Sequence, residues 1–389
     1  MTPDALVAAA GALPAAVEPS VVDDGQRLAT ATQWQLIWWR FRQHRLAMAG
    51  ACVLGAMIVI ALVPGFIAPY GVTTRTTEFI SAPPTRVHVI DAEGTWHWPF
   101  VYGVTTARDP NTFRMVTEPD LAVRRPVVLL VTGEEYRLLG LIPTDRHLFG
   151  VKDGTIHLFG TDDLGRDVFS RTVYATQISL SIGLFGTLLG FVIGVVVGGI
   201  SGYFGGWVDF VTQRMIELVM SIPTLPFWLA AGALIPQNWT ALQTYFTITT
   251  VLALFAWTGT ARRVRSQILT QRGIDYVVAA ELAGSSDWRI ISRHLLPTVA
   301  SYLIVDLTVA FPAMILGETA LSFLGLGLRP PVVSWGVLMQ EAQNLQAITQ
   351  SPWLFLPVVF VILAVLAFNF VGDGLRDAAD PYATIGGGS

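Results

Sequence analysis

The chain has 389 residues, 52% hydrophobic and only 13% charged, with a net charge of −4 at pH 7. Soluble domains carry roughly 25% charged residues, so this composition excludes an ordinary water-soluble enzyme and points to a multi-spanning membrane protein. Lys152 is the only lysine, which removes any G-x-x-x-x-G-K-[ST] phosphate loop, and no H-E-x-x-H or nucleophile-elbow pattern occurs.

Residues 1–39 are rich in Ala, Pro and acidic residues and lack the basic start of a signal peptide, which predicts a largely disordered cytoplasmic tail. A bilayer core of about 30 Å needs roughly 20 apolar residues in helical form, and residues 46–69 supply them without a charge. The single cysteine, Cys52, lies in this run, so no intrachain disulfide is possible. Residues 71–171 follow as a polar extracytoplasmic insertion. Within it, Arg124–Gly140 (RRPVVLLVTGEEYRLLG) predicts a hairpin turning at Thr132-Gly133, and Thr95–Gly103 (TWHWPFVYG) predicts a further strand. His88, His97, His147 and His157 fall here too, at spacings that match no metal pattern, and read as solvated or satisfied side chains.

A five-span unit is expected over 177–372, with helices near 177–200, 215–235, 245–260, 296–317 and 353–371. The first of these places Gly186, Gly190, Gly194 and Gly198 on one face, where another helix can approach closely. Pro223, Pro226 and Pro312 predict kinks, since membrane helices tolerate proline when neighbours satisfy the freed carbonyls. Orientation follows from arginine in the short loops. Arg40, Arg42 and Arg45 precede the first span, and Arg262, Arg263, Arg265, Arg272, Arg289 and Arg293 lie between the fourth and fifth. The loop between spans three and four has none, and the next outer loop only Arg329, so both termini are expected in the cytoplasm. Residues 373–389 are then a cytoplasmic tail whose closing Gly-Gly-Gly-Ser reads as an appended linker.

Three acids bear on the translocation path or its gating, because a charge at mid-membrane costs about 2.5–3.5 kcal/mol on insertion scales. Asp306 lies near the middle of the fifth span, which calls for an aqueous path or a partner helix. Glu318 lies at its outer end and Glu217 near the inner end of the third, and both also read as interfacial groups that solvate themselves. Use of Asp306 in an ion-driven secondary transporter is the alternative function on these grounds.

Between spans four and five, Tyr276–Pro297 reads as two short helices. Val277, Ala279, Ala280, Leu282 and Ala283 supply small and apolar faces, Gly284 interrupts, and Ser285 or Ser286 can cap a second helix from Asp287. Such a segment suits docking into a groove on a cytoplasmic partner, though an ordinary amphipathic loop has the same pattern.

The order Tyr276-Val277-x-Ala279-Ala280-x-x-x-Gly284, then Asp287-Trp288-x-Ile290 and Arg293-His294-x-Leu296-Pro297, resembles the cytoplasmic coupling loop of binding-protein-dependent ABC importer permeases. Gly160-Thr161-Asp162-Asp163-Leu164-Gly165-Arg166-Asp167-Val168-Phe169-Ser170-Arg171, just ahead of the second span, resembles the marker of the second permease subunit of the oligopeptide/dipeptide/nickel group. Glu318–Gly327 and Gly372–Asp377 fit the same group. The resemblance implies an all-α polytopic fold of about six helices, the type I importer permease fold, with a small β-containing insertion between helices 1 and 2. It implies a non-enzymatic transport subunit in the bilayer of the bacterial cytoplasmic (inner) membrane. Its partners would be a homologous second permease subunit, two ABC ATPase subunits and an extracytoplasmic solute-binding protein, with no nucleic acid. The chain itself would bind no cofactor; ATP and Mg would be used by the ATPases. The loop 273–294 would couple to them through Ala279, Ala280, Gly284, Asp287, Arg289, Arg293 and His294. Val278 stands where the family's loop usually carries glutamate, so docking would rest on the remaining residues. The long insertion is associated with larger solutes, oligosaccharide as well as oligopeptide.

Overall fold

A computed structural model describes residues 32–108, 115–344 and 349–379; the tail 1–31 and the closing Gly-Gly-Gly-Ser lie outside the described residues. The end of the expected disordered tail is helical instead. Helix α1 spans Gln33–Gln43 and opens on a capping box between Thr32 and Gln35, which satisfies two of the free amides of its first turn. His44 ends it and caps the next helix, its Nδ1 accepting the Ala47 amide at 3.1 Å.

Helix α2 (Arg45–Leu62) and the short α3 (Pro64–Ile67) form the first span and the elbow that follows it. Helix α4 (Val168–Phe204) is the second span, extended beyond the apolar run to 37 residues. The third is broken: α5 (Gly206–Ser221) and α6 (Thr224–Ala233) meet at 74°. Pro223 sits at that break, where its ring and missing N–H stop α5 from continuing. Helix α7 (Ala241–Gln271) follows, then the short α8 (Asp275–Leu282) and a six-residue π turn, Ile290–Leu295. Helix α9 (Ala300–Phe323) continues unbroken through Pro312. Helices α10 (Trp335–Glu341) and α11 (Leu356–Ala379) complete the described chain. Among the described residues five helices are long and apolar enough to cross a membrane, six if the bent pair is one span.

Small residues set the packing. The Gly186–Gly198 face meets its neighbours at backbone distance: a β-carbon on Gly190 would lie 2.9 Å from the Ala256 side chain, and one on Gly198 only 2.4 Å from the Ala261 carbonyl. α4 and α7 therefore lie nearly backbone to backbone. Gly186 faces Met314 of α9 instead. Lipid tails are as apolar as the side chains, so this close contact holds the helices where the hydrophobic effect cannot. Ile182, Leu252, Met314 and Leu321 fill the joint of α4, α7 and α9, and Met57, Ala175, Ile315 and Ala364 that of α2, α4, α9 and α11.

The insertion is a four-stranded antiparallel sheet in the order β1 (His88–Ile90), β2 (Trp96–Arg108), β3 (Met115–Leu138) and β4 (Ile142–Val151). The first half of β3 pairs with β2 and its second half with β4. The strand expected over 95–103 is β2, but the hairpin expected at Thr132-Gly133 is corrected: β3 runs straight through and turns at Leu139-Gly140. Thr132-Gly133 is a register irregularity, where a β-carbon on Gly133 would lie 2.6 Å from the His147 ring. A glycine inside a strand marks a bulge or a close approach as readily as a turn.

Candidate functional site

Three features are built from the residues singled out above. The first is the motif before α4. Gly160 (φ +71°) and Gly165 (φ +72°) adopt left-handed backbone, and β-carbons there would lie 2.6 Å from the Ala82 carbonyl and 2.4 Å from that of Thr76. Only glycine meets both demands. The turn between them is fixed by Asp162, whose Oδ1 accepts the Leu164 and Arg166 amides, each at 2.9 Å. Thr161 donates to the Phe79 carbonyl and accepts the Ala82 amide at 2.8 Å. Asp167 caps α4 by accepting Ser170 N–H at 2.7 Å and holds His157 Nδ1 at 3.0 Å. Arg171, 1% exposed, then bridges Asp162 Oδ2 at 2.6 Å and Glu341 Oε1 at 2.9 Å, while Arg166 reaches the same two acids at 2.7 and 3.1 Å. This motif is an ionic knot tying the insertion, α4 and α10 together. Arg171 closes the sequence motif but its role as hub was not legible there, and Glu341, its far partner, was missed.

The second feature is 273–294. α8 ends on Gly284 (φ +76°), with Ser285 N–H bonded to the Ala280 carbonyl and Gly284 N–H to that of Glu281. This is a Schellman C-cap. Val277, Ile290 and Leu295 are buried against Val264 and Ile268 of α7, with Ala280 half-buried beside them. Tyr203 at the end of α4 donates to Glu281 at 3.2 Å and Asp287 at 3.1 Å, so the segment is braced to α4 as well as α7. Its outer side is apolar: Val278, Leu282 and Trp288 are exposed, Leu282 by 86%. Ala279, Arg289 and Arg293 are exposed beside them, and His294 is half-buried.

The third is a cavity of about 1160 Å³ between α4, α6, α7, α9 and α11. Asp306 is on its wall, ion-paired to Arg263 and accepting Thr260 Oγ1 at 2.9 Å. Trp228, Tyr302 and Arg376 line it too. Glu217 and Glu318 do not. Glu217 is exposed and pairs with Arg214 one turn away at 2.7 Å. Glu318, expected at the interface, is fully buried and accepts hydroxyls from Ser322 at 2.7 Å and Ser179 at 3.4 Å. It stabilises the joint of α4 and α9 and lies off the cavity wall.

Among the described residues no group of three or more His, Cys, Asp or Glu is placed to hold a metal ion. The insertion's histidines have protein partners: His147 Nδ1 binds the Ala68 carbonyl at 2.6 Å, and His97 binds Asp91 at 2.8 Å. The Thr95 amide, with His97, the Glu93 amide and Arg124 behind it, holds the Asp91 carboxyl below the usual aspartate range.

These features describe an integral membrane permease with a braced surface segment at one end and a knotted insertion at the other. Residues 190–384 match the family described as binding-protein-dependent transport system inner membrane component, and 32–84 the N-terminal TM domain of oligopeptide transport permease C. The dipeptide transport system permease protein DppC of Bacillus subtilis is 31% identical over 360 residues, 92% of this chain and 88% of its own. The oligopeptide transport system permease protein OppC of Escherichia coli is 42% identical over 226 residues, 58% of this chain and 72% of its own. The chain belongs to the family of inner-membrane permease subunits of binding-protein-dependent ABC importers, with their type I fold. No relative or family match supports the ion-driven alternative, and Asp306 is ion-paired to Arg263.

Proposed function

We propose that the chain forms half of the membrane path of a peptide importer. Its other half is a homologous permease, two ABC ATPases bind and hydrolyse ATP with Mg, and an extracytoplasmic binding protein delivers the solute. The relatives reported above are named for dipeptide and oligopeptide transport, which favours peptide over oligosaccharide as cargo. The observation that carries the reading is the 273–294 segment. A Schellman-capped helix with exposed Leu282 and Trp288 is braced to α4 and α7 and leads through the π turn into α9, so a push on it moves the helices around the cavity. Ala279, Ala280 and Gly284 keep its surface low, Asp287 fixes the second turn through Tyr203, and Arg289, Arg293 and His294 offer charge to an acidic groove. The arginine distribution puts this end, both termini included, in the cytoplasm and the insertion 71–171 outside, where it contacts the binding protein.

In this scheme the cavity passes the solute and the Arg263–Asp306 pair gates it. Proteoliposomes holding the full complex should take up labelled short peptides only with ATP inside the cytoplasmic face. Asp306→Leu should lower uptake while the complex still co-purifies. Oligosaccharide uptake in place of peptide would reject the cargo, and gradient-driven uptake by this chain alone would reject the class.

A further inference from the structure

We propose that the tip of the β3–β4 hairpin, residues 138–143, is embedded in the edge of the bilayer and anchors the insertion to lipid. The inference needs only the membrane placement of the family and is independent of cargo and of the ATPases. Toward its tip, the hairpin touches the first span at points further back along the chain. Glu134 accepts the Gly71 amide at 3.0 Å. His147 binds the Ala68 carbonyl at 2.6 Å. The Tyr136 ring then lies over Gly65, where a β-carbon would be 2.3 Å from a ring carbon. Glu134 and His147 meet at the bulge and hold residues 71 and 68, whereas Tyr136, nearer the tip, covers 65, so the contacts lead back toward α2.

The base of the hairpin rests on the first turn of α4, where Phe149 meets Phe169 edge to face with ring centroids 5.7 Å apart. Leu139 lies three residues beyond Tyr136, so at about 3.3 Å per residue the tip reaches roughly 10 Å further along the helices.

The chemistry at the tip fits hydrocarbon. Its sequence is Leu-Leu-Gly-Leu-Ile-Pro, without a polar or charged side chain, and Leu139, Leu141 and Ile142 are 60%, 82% and 58% exposed. Arg137 and Arg146 flank it, exposed, where long cationic side chains can reach lipid phosphates. Val59 and Leu62 at the top of α2 are likewise more than half exposed. The turn adds a second, independent argument. Leu139 (φ +52°) and Gly140 (φ +75°) both have positive φ, a conformation that type I′ turns normally give to Asn-Gly because a β-carbon is strained there. A leucine in that position gains nothing in water and gains burial in lipid.

The test uses the full chain in liposomes of phosphatidylethanolamine and phosphatidylglycerol, with Cys52→Ser as background and single spin labels at Leu141→Cys or Leu139→Cys. Val59→Cys on α2 is the lipid control and Glu93→Cys in the β1–β2 turn the water control. Both tip labels should collide more often with dissolved oxygen than with a water-soluble nickel chelate, as at Val59→Cys. Preference for the nickel chelate, as at Glu93→Cys, would overturn the proposal, and so would protection from both reagents, which would mean that protein covers the tip.

Discussion

Arg171 is the residue whose removal the structure makes most costly. Its guanidinium is buried between Asp162 and Glu341, and truncating one partner of a buried pair leaves the others charged and desolvated, at about 3–5 kcal/mol. Arg171→Met should therefore lower the thermal unfolding midpoint of the purified protein sharply. Arg214→Met, which removes an exposed pair with Glu217, should cost no more than about 1 kcal/mol. Equal midpoints for the two variants would contradict the knot. Half of this arrangement was legible: Gly160, Asp162, Gly165, Arg166 and Asp167 stand close in sequence and were recognisable as a unit. Glu341 was not, because it lies 170 residues from Arg171 in a short amphipathic helix that carries no local signal. Glu318 was misjudged for a related reason. Its position at the end of a span suggested water, and only the packing of Ser179 and Ser322 around it reveals full burial.

At the level of elements, the glycine face of α4 and its partners decides how the bundle closes. Gly198→Val would force a branched side chain against the Ala261 carbonyl, separating α4 from α7 over their closest stretch. It should abolish recovery of monodisperse protein. Gly55→Ala on α2, where a β-carbon meets nothing within 4 Å, should be recovered as wild type. Comparable recovery of both would show that the close approach is dispensable. The glycine spacing announced this face, since a four-residue period is a local property, but not its occupants: Gly190 and Gly198 meet α7 while Gly186 meets α9. The break at Pro223 was legible for the same local reason, whereas Pro312 left α9 continuous. The hairpin shows where local signals mislead. Thr132-Gly133 has the composition of a turn, yet the tertiary contact between Gly133 and His147 makes it a point of close approach inside a strand, and the turn falls on a leucine and a glycine instead.

Taken whole, the molecule carries a knotted insertion at one end of its bundle and the braced segment 273–294 at the other, with the cavity between α4, α7 and α9 nearer the latter. Composition and hydropathy sufficed for the membrane class, and the proposed importer draws its energy from partner ATPases. The central claim is that 273–294 receives it. The most direct measurement is ATP hydrolysis by the purified complex, with and without peptide-loaded binding protein, for wild type, Gly284→Glu and Arg293→Glu. Gly284→Glu adds charge in open space but also strains the left-handed cap of α8, whereas Arg293 is exposed, so Arg293→Glu changes the surface alone. Stimulation should be lost in both variants while all subunits co-purify; wild-type stimulation in both would contradict the account.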